Sequence, residues 1–141
     1  MEFKFPYSGK KDFVEINSWK RLAVFSMLFA LTFALTFFVL PIASWRMHFF
    51  QIGIFISAFV FGPWAGALVG ALSSSYNGLF VISNPWIICG NALLGFLAGY
   101  LYRRFGAEKA VLAAFAIQIP YLIITDVYLV HMPVAAVIGI I

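Results

Sequence analysis

From Met47 to Tyr102 the chain carries no aspartate, glutamate, lysine or arginine. As a single helix this stretch would reach about 84 Å, against a bilayer hydrocarbon core of about 30 Å. It must therefore double back on itself, and water is a poor solvent for the result. Of 141 residues, 64% are hydrophobic and 10% charged, where soluble domains carry about 45–50% and about 25%. A soluble fold has nowhere to hide so much apolar surface, whereas lipid accepts it. The composition specifies a multi-pass protein of the cell membrane, an all-α integral membrane protein.

The net charge of +4 does not indicate nucleic acid. The basic residues sit at the edges of apolar stretches and form no stripe on a polar face. Such edge charges orient a membrane protein and hold it against anionic headgroups. Cys89 is the only cysteine, which excludes an internal disulfide and a multi-cysteine metal site. Two histidines and one nearby acid make no metal site either. The first apolar stretch, Leu22 to Ala43, has no cleavage pattern followed by a polar domain and reads as a retained helix.

Charge also counts the crossings. Lys20 and Arg21 before the first helix predict a cytoplasmic N-terminus, with Arg46 outside and Arg103, Arg104 and Lys109 cytoplasmic again. An odd number of crossings then separates Arg46 from Arg103, and the breakers Gly62-Pro63 and Ser83-Asn84-Pro85 divide the run into three. The expected helices are 22–44, 47–61, 64–80, 86–103 and 109–129, the last kinked near Pro120. Val134 to Ile141 is too short to cross and reads as the start of a sixth helix, either truncated in this sequence or ending unusually early. The result is a compact bundle of six helices, five of them complete. Residues 1–19 form a cytoplasmic or interfacial segment, in which Phe3, Phe5, Tyr7 and Phe13 can dip into headgroups. Residues 20–141 form one transmembrane domain.

Small residues mark the packing faces. Gly62, Gly66 and Gly70 repeat every four residues, and Gly95 and Gly99 do so further on, as close helix contacts in lipid require. Ser26, Ala30 and Ala34 make a similar ridge on the first helix, either for packing within the bundle or for docking another membrane protein. No Gly-x-x-x-x-Gly-Lys-Ser/Thr phosphate loop is present, so ATP is not bound by that route.

With these motifs in place, the chain resembles the substrate-binding (S) component of an energy-coupling factor (ECF) transporter. The resemblance rests on a basic N-terminus, an Ala-x-x-x-Ala pattern at Ala30 and Ala34, a Phe-Gly-Pro-x-x-Gly-Ala-x-x-Gly stretch from Phe61 to Gly70, and an Asn-Ala-Leu-x-Gly-x-x-x-Gly run from Asn91 to Gly99. It covers about residues 18 to 135 and departs from the family in lacking most of helix six. It implies a vitamin-like cargo taken at the extracellular side, and a transmembrane coupling subunit docked on Ala30 and Ala34. Two ATPase subunits, and not this chain, would bind ATP; no cofactor is implied.

Polar groups at membrane depth are costly and mark candidate sites. On this topology Trp45, Arg46, His48 and Gln51 converge at the outer side with Asn77, Asn84, Trp86, Asn91, Gln118, Tyr121, Asp126, Tyr128 and His131. The expected cargo contacts are Trp45, Arg46, His48, Asn84, Trp86, Asn91, Tyr121 and Asp126, with an aromatic wall and a few polar readers. Each has a plainer role: belt aromatic for Trp45, Trp86 and Tyr128, turn residue for Asn77 and Asn84, interhelical hydrogen bonding for Asn91 and Gln118. Asp126 is either a cargo contact or a partner of Arg46. No serine stands in a Gly-x-Ser-x-Gly setting near a histidine, so no enzyme is expected. The alternative is a stand-alone secondary transporter or an accessory membrane subunit, but the Gly62-Pro63 break has no second copy legible in the sequence.

Overall fold

A computed structural model describes residues 18–42 and 45–138, the side chains of 41–47, 136 and 138 excepted. The expected interfacial segment therefore lies outside the described residues up to position 17, as does the end of the expected sixth helix.

The first helix, α1 (Ser18–Leu35), is shorter than expected. Instead of continuing to residue 44, the chain forms a hairpin of β1 (Val39–Ile42) and β2 (Trp45–His48), with Val39 opposite His48 and Pro41 opposite Arg46. The residues that end the helix explain this. Thr36, Phe37, Phe38 and Val39 are β-branched or aromatic and favour extended backbone, and Pro41 has no amide to give a helix. Thr36 closes the last turn: its hydroxyl reaches the carbonyl of Phe33 and, across the bundle, that of Ser73.

The long uncharged run folds into three helices, as its breakers predict. They are α2 (Phe50–Phe61), α3 (Pro63–Tyr76) and α4 (Trp86–Phe105). α5 (Ala107–Ile123) runs through Pro120 as helix, and α6 (Val134–Ile138) comprises five described residues. α4 packs against α2, α3 and α5, while α1 packs on α2 and α3. One core cluster joins Ala58, Leu94, Ala98 and Ala114 under Phe55, Phe59, Leu97 and Phe115. A second joins Phe50, Ile54 and Val69 with Phe25, Phe29 and Leu35 from α1.

Two hairpins in this bundle share one construction. α2 passes to α3 through Gly62 alone (φ 100°, ψ 178°), and α4 passes to α5 through Gly106 alone (φ 80°, ψ 176°). That backbone region is essentially closed to residues with a Cβ, which is why both turns are glycine. α3 ends in a π-helical turn at Asn77–Val81, and α5 in another at Ile124–Leu129. Each exit then places a residue at positive φ, Ser83 (56°) and His131 (59°), two positions before a proline. The closing hydrogen bonds match as well: Asn84 N–H donates to the Gly78 carbonyl (2.6 Å), and Met132 N–H to that of Asp126 (2.9 Å). The second copy that the sequence did not reveal is present in the backbone.

Apolar side chains point outward along every long helix, among them Met27, Ile52, Leu68, Leu112 and Ile124. Ser18–Leu35 and Ala107–Leu129 are long and apolar enough to cross a membrane.

Candidate functional site

α3 and α4 meet backbone to backbone. A Cβ on Gly66 would lie 2.6 Å from the Gly95 carbonyl oxygen, and one on Gly99 would lie 2.7 Å from Pro63 Cα. Gly70 abuts the Asn91 carbonyl just as closely. The glycine ridges therefore leave no space between these two helices for a ligand.

The α4–α5 seam is different: it is joined by polar rungs. Gln118 Nε2 donates to the Gly90 carbonyl (3.1 Å), and the Tyr121 hydroxyl to the Trp86 carbonyl (3.3 Å). Beyond the helix ends, Asn84 Nδ2 donates to Asp126 Oδ1 at 2.6 Å, with both residues fully buried. This last bond links the two equivalent exits, since Asn84 follows the π turn of α3 and Asp126 lies within that of α5.

Asn84 is held on all sides. Its backbone N–H is bonded to Gly78, and its Oδ1 accepts the Trp86 N–H (3.1 Å), an Asx turn that starts α4. Proline at 85 disfavours helix at the preceding residue and so supports the turn. Asp126 is less complete. Thr125 Oγ1 lies 3.2 Å from Oδ1, but Oδ2 is buried with no hydrogen-bond donor among the described residues. Asn91 is similar: Nδ2 donates to the Ile87 carbonyl (3.1 Å), and Oδ1 is buried without a partner among the described residues. Buried acceptors left unsatisfied cost about 1–3 kcal/mol each, so an arrangement that keeps two of them is suited to a partner bearing N–H or O–H groups.

Of the expected site residues, Asn84, Trp86, Tyr121 and Asp126 meet in this seam. Asn91 bonds back to Ile87 of its own helix, and Gln118, read as either packing or ligand, bonds across to α4. Trp86 contributes its backbone carbonyl, while its ring is largely exposed. His48 sets its ring edge-on to Phe50 (5.8 Å), and the side chains of Trp45 and Arg46 lie outside the described residues. Asn77 is buried in the π turn, where its carbonyl accepts from Ile82; Tyr128 and His131 are exposed and Gln51 is half-buried. Among the described residues Asp126 is bonded by Asn84 and Thr125, while its expected alternative partner, the Arg46 side chain, lies outside them. Thr125 was not anticipated, nor were the carbonyls of Trp86 and Gly90. Only adjacence to Asp126 could have pointed to Thr125, and backbone acceptors leave no mark in a sequence. On α1, Ser26, Ala30 and Ala34 are exposed along one face, whereas Thr32 and Thr36 turn inward.

Comparison with known proteins agrees with this architecture. Residues 20–141 match the family model of the ECF transporter, substrate-specific component. The riboflavin transporter RibU of Staphylococcus aureus (strain TCH60) is 33% identical over 94 residues, 64% of this chain and 49% of its own length. The chain thus spans about half the length of that curated relative. The solved structure of the S component of a bacterial ECF transporter superposes with a TM-score of 0.58 at 27% identity, over 87% of this chain and 83% of that one. These relatives are membrane transport components and not enzymes. On the match over residues 20–141, the chain belongs to the substrate-specific component family of ECF transporters.

Proposed function

We propose that this chain captures a flat, vitamin-like molecule in the α4–α5 seam at the extracellular side and delivers it inward with a coupling subunit and two ATPases. The observation that carries this reading is the Asn84–Asp126 pair, whose second carboxylate oxygen is buried and lacks a donor among the described residues. A cargo offering N–H or O–H groups would satisfy it, together with Asn91 Oδ1. Trp86 and Tyr121 supply aromatic surface beside them, and Trp45, Arg46 and His48 would close the site from the β1–β2 side. Riboflavin is the first molecule to test, because the relative named above is a riboflavin transporter.

The orientation follows from charge: Lys20, Arg21, Arg103, Arg104 and Lys109 lie at helix ends opposite the Asn84 and His131 turns, which favours a cytoplasmic N-terminus and a six-helix topology. The exposed Ala30/Ala34 face of α1 serves for docking on the coupling subunit. Native mass spectrometry of the purified chain should show a retained small molecule, and vesicles holding the chain together with its ATPase and coupling partners should accumulate it only with ATP. Ion-driven uptake by the chain alone would instead establish a stand-alone secondary transporter.

A further inference from the structure

At the end of the bundle opposite the Asn84–Asp126 pair, α3 and α4 present a continuous aromatic and cationic strip. Trp64, 78% exposed, sets its ring edge-on to Phe96 at 5.1 Å. Phe96 stacks on Tyr100 (6.2 Å, 6° between planes), and the Arg104 guanidinium lies over the Tyr100 ring at 5.2 Å. Arg103, in the same last turn of α4, brings its Nη2 to Gly62, where a Cβ would stand 3.2 Å from it. Leu68 and Leu72 extend the strip from Trp64 along α3 at intervals of four residues, both exposed.

No ion pair among the described residues neutralises the charge on this strip. Arg103, Arg104 and Lys109 are exposed and form no ion pair among the described residues, although Glu108 is close in sequence. The negative end of the α4 dipole accounts for arginines in the last turn, but not for an arginine over the end of an aromatic ladder that descends into the apolar face. A guanidinium held beside a ring in this way still has N–H groups to offer a two-pronged acceptor such as a pair of phosphate oxygens. The ridge of Trp64, Leu68 and Leu72 below it is the right depth and chemistry for an acyl chain.

We propose that this strip binds an anionic phospholipid of the surrounding bilayer, with its phosphate on Arg104 and Arg103 and its chain along Trp64, Leu68 and Leu72. Charge complementarity favours lipid over a protein partner, since the strip sets cations next to a ridge of Trp64, Leu68 and Leu72 whose one polar group is an indole N–H, a donor at home among headgroups.

The test uses the full chain in mixed micelles titrated with palmitoyl-oleoyl phosphatidylglycerol or the matching phosphatidylcholine, with bound lipid counted by native mass spectrometry. Each membrane-surface arginine contributes about fivefold in affinity for anionic lipid. The native chain should therefore retain phosphatidylglycerol at least about tenfold better than phosphatidylcholine. Arg103→Gln/Arg104→Gln should abolish the preference, and Tyr100→Leu should weaken it while leaving net charge unchanged. Thermal midpoints in detergent check that each variant is folded; should the double variant fail, Arg104→Gln alone gives the same reading. Equal retention of the two lipids by the native chain, or a preference that survives loss of both arginines, overturns the proposal. So does a double variant that keeps its lipid preference but no longer co-purifies with the coupling subunit, which would make the strip a protein interface.

Discussion

The two seams of α4 are built on opposite plans. Towards α3 it offers Gly95, Gly99 and the Asn91 carbonyl to bare backbone, and nothing larger than hydrogen fits between. Towards α5 it offers side chains and hydrogen-bond rungs, and the Asp126 carboxylate beyond them keeps one buried oxygen without a donor among the described residues. The first seam can only be a fixed joint, because a helix surface of backbone has no rotamers to change. The second can repack, because its contacts are side chains whose positions depend on what they touch. The same helix thus provides rigidity on one face and adaptability on the other, and Gln118, Tyr121 and the Asn84–Asp126 pair lie on the adaptable one.

The largest expected effect comes from filling the fixed joint. Gly95→Leu places a side chain where the Gly66 backbone already sits. It should cost more than the about 1–3 kcal/mol of ordinary overpacking, because backbone cannot yield as a side chain can. The readout is loss of monodisperse protein in detergent, and a normal yield with an unshifted thermal midpoint would break the contrast between the seams. Next comes Gly106→Ala, which forces a Cβ into the φ 80° turn at a cost of about 1–3 kcal/mol despite open space around it. Asn84→Ala removes the donor to Asp126 and should cost about 1–3 kcal/mol, seen as a lowered thermal midpoint that bound cargo no longer restores to the native value. Gln118→Leu deletes one rung at membrane depth and should cost only about 0.6 kcal/mol. Smallest in stability is Ala30→Leu/Ala34→Leu, expected within about 0.5 kcal/mol of native. Those positions face outward, so pull-down of the coupling subunit should be lost while cargo binding is kept.

Much of this was legible in the sequence, and for definite reasons. Uncharged length and the Gly62-Pro63 and Ser83-Asn84-Pro85 breakers mark the helices of the long run, because backbone hydrogen bonding in lipid permits few alternatives. The four-residue glycine spacing locates the α3–α4 joint, because only small residues allow it. The end of α1 was not legible: the stretch after Leu35 is as apolar as the helix before it, and hydropathy does not distinguish a helix from a hairpin of β-branched and aromatic residues. Nor was the doubled hairpin, which the sequence marks with little more than Phe-Gly at 61–62 and 105–106 and proline at 85 and 133, while its likeness lies in the φ and ψ of Gly62, Gly106, Ser83 and His131. In the seam, Asn84, Tyr121 and Asp126 stood out as polar residues in an apolar chain, whereas their pairing depended on a tertiary contact 42 residues apart.

The most direct test of the α4–α5 seam as the cargo site is riboflavin affinity, measured by fluorescence titration on native protein and on Asp126→Ala at a temperature where both are folded. The expected result is saturable binding by the native chain and a loss of at least about tenfold in the variant, the equivalent of one hydrogen bond to a charged group. Unchanged affinity in a folded Asp126→Ala protein would contradict it, and would move the cargo away from this seam.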